Sequence, residues 1–88
     1  MRAIRIERYG GPEVANIVDA PVPVATPGMV LVRVAAAGIN FMDIGTRQGR
    51  YANSRTYQVG LPSTLGMEGA GEVVEVGAGV ARFRAGDR

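Results

Sequence analysis

The sequence predicts a mainly β domain with one short helix, and three observations predict it. From Ala70 to Val76 the side chains alternate, with Ala70, Glu72, Val74 and Val76 on one face and Gly71, Val73 and Glu75 on the other, the period-two signal of a strand. Residues 29–37 form an apolar run broken only by Arg33, too rich in β-branched valine to favour a helix. Thirteen glycines in 88 residues are more than a helical bundle tolerates, while the 47% of hydrophobic residues is too high for a disordered tail. A chain of this length is one domain at most, and folding hides little more than roughly 60% of its unfolded surface, so the core is thin.

In chain order, Ala3–Arg8 alternates apolar and charged residues and reads as a half-buried strand with Ile4 and Ile6 inward and Arg5 and Glu7 in water. The Gly-Gly-Pro of residues 10–12 ends it. A second short strand is expected over 14–19, before three prolines and a glycine at Pro21, Pro23, Pro27 and Gly28 force extended backbone and a turn. The apolar run 29–37 is then the central strand. Asn40 can cap a helix, and Asp43 three residues on approximates a capping box with a shorter arm than Glu, so a short helix is expected to begin there and stop near Gly49. No period holds from Arg50 to Ser63, which reads as a long irregular loop. The last strand ends in Gly77-Ala-Gly79, and the closing Gly86-Asp87-Arg88 is a turn signal expected to have no partner, as in a chain cut from something longer.

The stretch Leu65-Gly-Met-Glu-Gly-Ala-Gly-Glu-Val-Val-Glu-Val-Gly77 is the densest in information. Glycine weakens a strand, so Gly66, Gly69 and Gly71 mark a bulge, a bend, or close approach of backbone to another segment or ligand. They do not cradle a phosphate. Their order is wrong for G-x-G-x-x-G and a strand follows them where a helix is needed; Gly77-Ala-Gly79 opens no helix either, so no dinucleotide fingerprint is present.

Composition excludes several functions. The formal charge is +2, from 10 basic and 8 acidic residues that are interleaved, so there is no basic stripe for nucleic acid. Without cysteine or histidine, neither a disulfide, nor a thiolate or imidazole metal site, nor a histidine base is available. Charges interrupt the first residues where a signal peptide needs an apolar core, and no apolar run reaches membrane-spanning length, so a cytoplasmic protein without a membrane partner is expected.

Five stretches together resemble the N-terminal part of a medium-chain dehydrogenase/reductase, most closely the zinc-free quinone oxidoreductases related to zeta-crystallin. They are Gly10-Gly-Pro-Glu-Val14, Pro27-Gly-Met-Val-Leu-Val-Arg-Val34, Ala37-Gly-Ile-Asn-Phe-Met-Asp43, the 65–77 stretch, and Phe83-Arg-Ala-Gly-Asp-Arg88. Each is weak alone; five in the family's order make a specific signal. The resemblance implies a GroES-like, partly open β-barrel with one short helix, the substrate domain, occupying residues 1–88, truncated at its C-terminus and lacking the Rossmann half that binds NADPH. It implies hydride transfer from NADPH to a quinone or enone in a parent protein that is a homo-oligomer, with the isolated chain inactive.

Zinc relatives carry Cys where this chain has Asn40 and His where it has Met67, and an amide with a thioether is a poor replacement pair, so no zinc is expected. By resemblance, Asn40 lies beside the nicotinamide and substrate, with helix capping as its other reading; one residue can do both. Asp43 resembles the family's acid on the same helix, for proton transfer or for a cap. Arg47 matches a phosphate-facing or structural residue, with a plain surface position as its other and favoured reading. Tyr51 matches a tyrosine at the substrate mouth whose phenol donates to the acceptor oxygen, or it is an aromatic plug. Asn40, Asp43 and Tyr51 are thus the catalytic candidates, and Asn40 and Arg47 the cofactor contacts. Glu68 matches an acid behind the zinc and is expected to be structural here. The family also has a tyrosine where this chain has Gly45, which implies a more open or differently shaped pocket. Two alternatives stay open: an alcohol dehydrogenase-like reductase acting on another carbonyl or acyl substrate, and a non-enzymatic GroES-like β-barrel module.

Overall fold

A computed structural model describes residues 1–57 and 59–88. Its elements are β1 (Arg2–Ile6), a 3-10 turn (Pro12–Val14), β2 (Asn16–Asp19), β3 (Val30–Ala37), α1 (Phe41–Gln48), β4 (Ser63–Thr64) and β5 (Gly69–Val76). The chain is mainly β with one short helix, as the sequence predicts. It divides into two compact units, one made of Met1–Pro21 and Ile39–Met67, the other of Val22–Gly38 and Glu68–Arg88.

The first unit holds an antiparallel sheet in the order β2-β1-β4. Arg2 to Arg5 face Asp19 to Asn16, and the free amine of Met1 donates to the Ala20 carbonyl at 2.8 Å, extending the ladder. Ser63 and Thr64 pair with Ile6 and Arg5, so the irregular segment after Arg50 ends in a strand; that segment also contains residue 58, outside the described residues. Ile6, fully buried, and Val14, at the end of the 3-10 turn, form the core with Thr46 and Gly45 of the helix. Thr46 meets its polar obligation locally by donating its hydroxyl to the Met42 carbonyl at 2.9 Å.

The expected inward pair is corrected in part. Ile4 keeps 50% of its surface and lies opposite Ile17, itself 69% exposed, so this pair is left largely uncovered. Arg5 is not in open water either. Flanked by Thr64 of β4, it is half-buried, with Nε 3.5 Å from the Glu7 carboxylate.

In the second unit β3 and β5 form an antiparallel two-stranded ribbon. The run 29–37 is therefore not a central strand: among the described residues β5 is its one partner, and most of its side chains stay exposed. The strict alternation expected for 70–76 is also interrupted. Leu31 faces Glu75 and Val32 faces Val73, leaving Val74 without an opposite number, which is a β-bulge. Val73 and Val76 then share the face of Val32 and Val30, while Glu72 and Glu75 share that of Arg33 and Leu31. Arg33 and Glu72 pair at 3.2 Å, and the Glu75 carboxylate accepts from the Ala25 N–H at 3.1 Å.

The closing turn is paired, contrary to expectation: Val73 donates to the Asp87 carbonyl and Gly86 donates to the Val73 carbonyl, both at 2.8 Å, so these residues dock beside the bulge. Gly71 is explained by close approach, since a Cβ there would collide with the Arg33 carbonyl of the neighbouring strand. Backbone cannot step aside as a flexible side chain can. Gly71→Ala should lower stability by roughly 1–3 kcal/mol, read as a reduced urea midpoint at unchanged slope.

Candidate functional site

All four sequence-nominated residues lie in the first unit, strung along α1 and its exit. Asn40 is the N-cap, in extended conformation, and Asp43 is the third helical residue; the two form a capping box. The Asn40 N–H donates to the Asp43 carboxylate at 2.8 Å, and the Asp43 N–H donates to the Asn40 carbonyl at 3.0 Å. A carboxylate at this position also lies where the positive end of the helix dipole favours it. A cap engages an asparagine side chain only through its carbonyl oxygen, and among the described residues nothing accepts from the two amide N–H donors of Asn40.

At the other end, Gly49 adopts the left-handed conformation (φ 84°) that glycine alone takes without cost. Its N–H donates to the Thr46 carbonyl at 3.1 Å and the next N–H, of Arg50, donates to the Gly45 carbonyl at 2.9 Å, the paired bonds of a Schellman motif. The chain therefore reverses, and Tyr51 returns over the last turns of the helix. Its ring lies against Gly45, where a Cβ would stand 2.8 Å from Cε2, and meets Tyr57 edge-on with centroids 5.4 Å apart and planes at 84°. Ser54 holds the Tyr57 side of this loop by accepting from the Tyr57 N–H at 3.0 Å. On the far side Tyr9 packs on Gly49 and donates its hydroxyl to the Val59 carbonyl at 2.9 Å.

Arg47 sits in the last helical turn, where a cation complements the dipole, and its carbonyl accepts from the Gly10 N–H at 3.0 Å. Its Nε is buried and has no hydrogen-bond partner among the described residues. Asp43 and Arg47, four residues apart, form no ion pair among the described residues, because the carboxylate is turned back to the cap. The structure thus brings Asn40 and Asp43 together, whereas among the described residues no hydrogen bond links Arg47 or Tyr51 to that pair. Glu68 belongs to the second unit and lies over Gly38, whose N–H donates to its carbonyl at 3.3 Å.

Sequence reasoning missed Tyr9, Tyr57 and the packing of the Tyr51 ring on Gly45. The space at Gly45 is not open, since the Tyr51 ring covers it. A glycine inside a short helix, six residues before a tyrosine and four before the glycine that ends the helix, was the available signal.

Residues 26–88 match the family model described as the alcohol dehydrogenase GroES-like domain. Over 99% of its length the chain is 46% identical to a quinone oxidoreductase of Pseudomonas aeruginosa, of which it covers 25%. Over 99% of its length it is also 40% identical to an NAD-dependent alcohol dehydrogenase of Sulfurisphaera tokodaii, of which it again covers 25%. Among solved structures, a quinone oxidoreductase of Escherichia coli complexed with NADPH superimposes on the whole chain with a TM-score of 0.89 at 39% identity, the match taking in 26% of that protein. The chain thus spans about a quarter of the length of the relatives it matches.

The capping box gives a first test of this site. Asp43→Asn should cost about 1 kcal/mol, and Asp43→Glu, with the longer arm, should retain or exceed the original stability; thermal unfolding followed by far-ultraviolet circular dichroism reads both.

Proposed function

The chain belongs to the alcohol dehydrogenase GroES-like domain family, in its quinone oxidoreductase branch, and from that premise we propose that it is the substrate-domain portion of an NADPH-dependent quinone or enone reductase. One observation carries the reading: Asn40, whose amide donors have no hydrogen-bond partner among the described residues, heads a helix whose exit returns the Tyr51 phenol to the same helix. Two separate donors of this kind suit a flat acceptor with carbonyl oxygens better than they suit a metal.

Residues 1–88 act as one substrate domain in this reading, within a longer cytoplasmic homo-oligomer. Bound NADPH supplies the hydride. The guanidinium of Arg47, whose Nε has no hydrogen-bond partner among the described residues, is a donor group suited to an anionic group of the cofactor, and the amide of Asn40 suits a carboxamide or carbonyl beside it. Tyr51 donates a hydrogen bond to the acceptor oxygen on which negative charge develops, an interaction stronger in the transition state than in the ground state. Asp43, engaged in the cap, acts by holding Asn40 in place and does not move a proton.

The reaction is proposed to proceed without zinc. Asn40 and Met67 stand where zinc relatives have cysteine and histidine, and an electron-poor quinone accepts hydride without the Lewis acid that a simple carbonyl needs. The second reading, an alcohol dehydrogenase-like reductase, is favoured by the 40% identity to the Sulfurisphaera tokodaii enzyme.

NADPH oxidation by the full-length protein with 1,4-benzoquinone or an enone as acceptor, set beside NAD(P)+ reduction with simple alcohols as donors, separates the two. Turnover of the quinone or enone is expected; activity on alcohols alone would transfer the case to the second reading. Tyr51→Phe should lower kcat/KM by roughly 1–2 kcal/mol, or about 5- to 30-fold, and should leave it unchanged if the ring is only a plug. Elemental analysis of protein purified without chelators should find no stoichiometric zinc, whereas zinc lost on mutating Asn40 or Met67 would contradict the proposal.

A further inference from the structure

Gly45 lies in the interior of α1, where glycine is the least favourable residue after proline, and it is buried. Local conformation does not require it, because Gly45 is not among the glycines with positive φ. What requires it is space. A Cβ at position 45 would stand 2.8 Å from Cε2, 3.2 Å from Cζ and 3.2 Å from the hydroxyl oxygen of Tyr51, so the phenol end of the ring fills the place of the missing side chain.

We propose that Gly45 is a positioning residue: the gap it leaves in the helix is the seat of the Tyr51 ring and sets where the phenolic hydroxyl stands. The inference rests on the reading of Tyr51 as the donor to the acceptor oxygen. The main chain leading to Tyr51 is held by the Arg50 N–H on the Gly45 carbonyl, so the same residue anchors the backbone turn and receives the side chain that follows it. Tyr57 meets the same ring in an edge contact, with centroids 5.4 Å apart. With backbone and one flank held, a methyl group at position 45 can be accommodated only by sliding the ring away from the helix, and the hydroxyl moves with it. Among the described residues that hydroxyl has no hydrogen-bond partner, so its place follows from how the ring is packed on Gly45 and against Tyr57.

The test is a set of variants in the full-length protein with two independent readouts. In turnover of 1,4-benzoquinone, Gly45→Ala should lower kcat about tenfold with KM changed less than about twofold, since a misplaced donor forfeits transition-state stabilisation. In a Tyr51→Phe background the same change should alter kcat less than about twofold, because no hydroxyl remains to be misplaced. In thermal unfolding, Gly45→Ala should lower Tm while the tyrosine ring is present. In a Tyr51→Ala background it should raise Tm, alanine being the better helix former once the seat is empty. Should Gly45→Ala alone fail to fold, recovery of folding in Gly45→Ala/Tyr51→Ala is the expected rescue, and failure of the pair overturns the proposal. So does a Tm that rises in both backgrounds, or an equal loss of kcat with and without the hydroxyl. A protein inert to quinones and enones defeats the functional reading instead, and the sign reversal in Tm still decides whether the ring is seated on Gly45.

Discussion

The left-handed turn at Gly49 is the constraint on which the candidate site depends. One residue with φ of 84° lets two successive N–H groups bond back to Thr46 and Gly45, ending the helix after two turns and sending the chain back along it. A residue with a Cβ pays about 1–2 kcal/mol for that conformation, and here the added atom would also stand 2.8 Å from the Tyr9 ring. Because the reversal is fixed, Tyr51 falls on Gly45 and Tyr57 can close on Tyr51. The Tyr9 ring packs against the turn at Gly49 and is itself tied by its hydroxyl to the Val59 carbonyl. The cap at Asn40 and Asp43 defines where the same helix starts, so both ends are held by named bonds and the polar groups between them have defined places.

The two sheets differ in what holds them. In the three-stranded sheet Ile6 is fully enclosed and the ladder is continued by main-chain bonds at Met1 and Leu65. The ribbon of β3 and β5 relies more on its ladder and on cross-strand partners. Val73 is its one buried large side chain among the described residues, and Val32 and Val34 keep 39% and 60% of their surface. A two-stranded sheet is marginal by itself. Docking of residues 86–87 on Val73 and the bond from Ala25 to Glu75 supply part of what a third strand would otherwise provide.

Much of this could be read from residues alone, because the signals were local. Asn40, Asp43 and Gly49 announced both helix ends to within a residue, and the valines of 30–34 and 73–76 announced the two long strands. The family was legible as well, through five short stretches in order, and the family match and the solved relatives bear it out. What was illegible depends on partners distant in sequence. Ile4 has the alternation of an inward residue, yet its exposure is decided by what covers Ile17 across the ladder. The bulge at Val74 leaves no mark in the composition of β5. Gly45 was visible as a departure from the family's tyrosine, but a departure does not say which other side chain moves into the space; only the path of the chain after Gly49 does.

The bulge in β5 also makes chain length adjustable at one point of this ladder. Val73 and Glu75 face Val32 and Leu31, two neighbours with nothing between them, so removing Val74 would join residues whose partners are already adjacent. Elsewhere in a strand, losing one residue turns every side chain beyond it to the opposite face. Here the loss would straighten the strand and leave each remaining cross-strand pair as it was. A sequence varying around this domain can therefore lose the residue at 74 while keeping its faces, whereas at Gly71, three residues earlier, any side chain meets the Arg33 carbonyl.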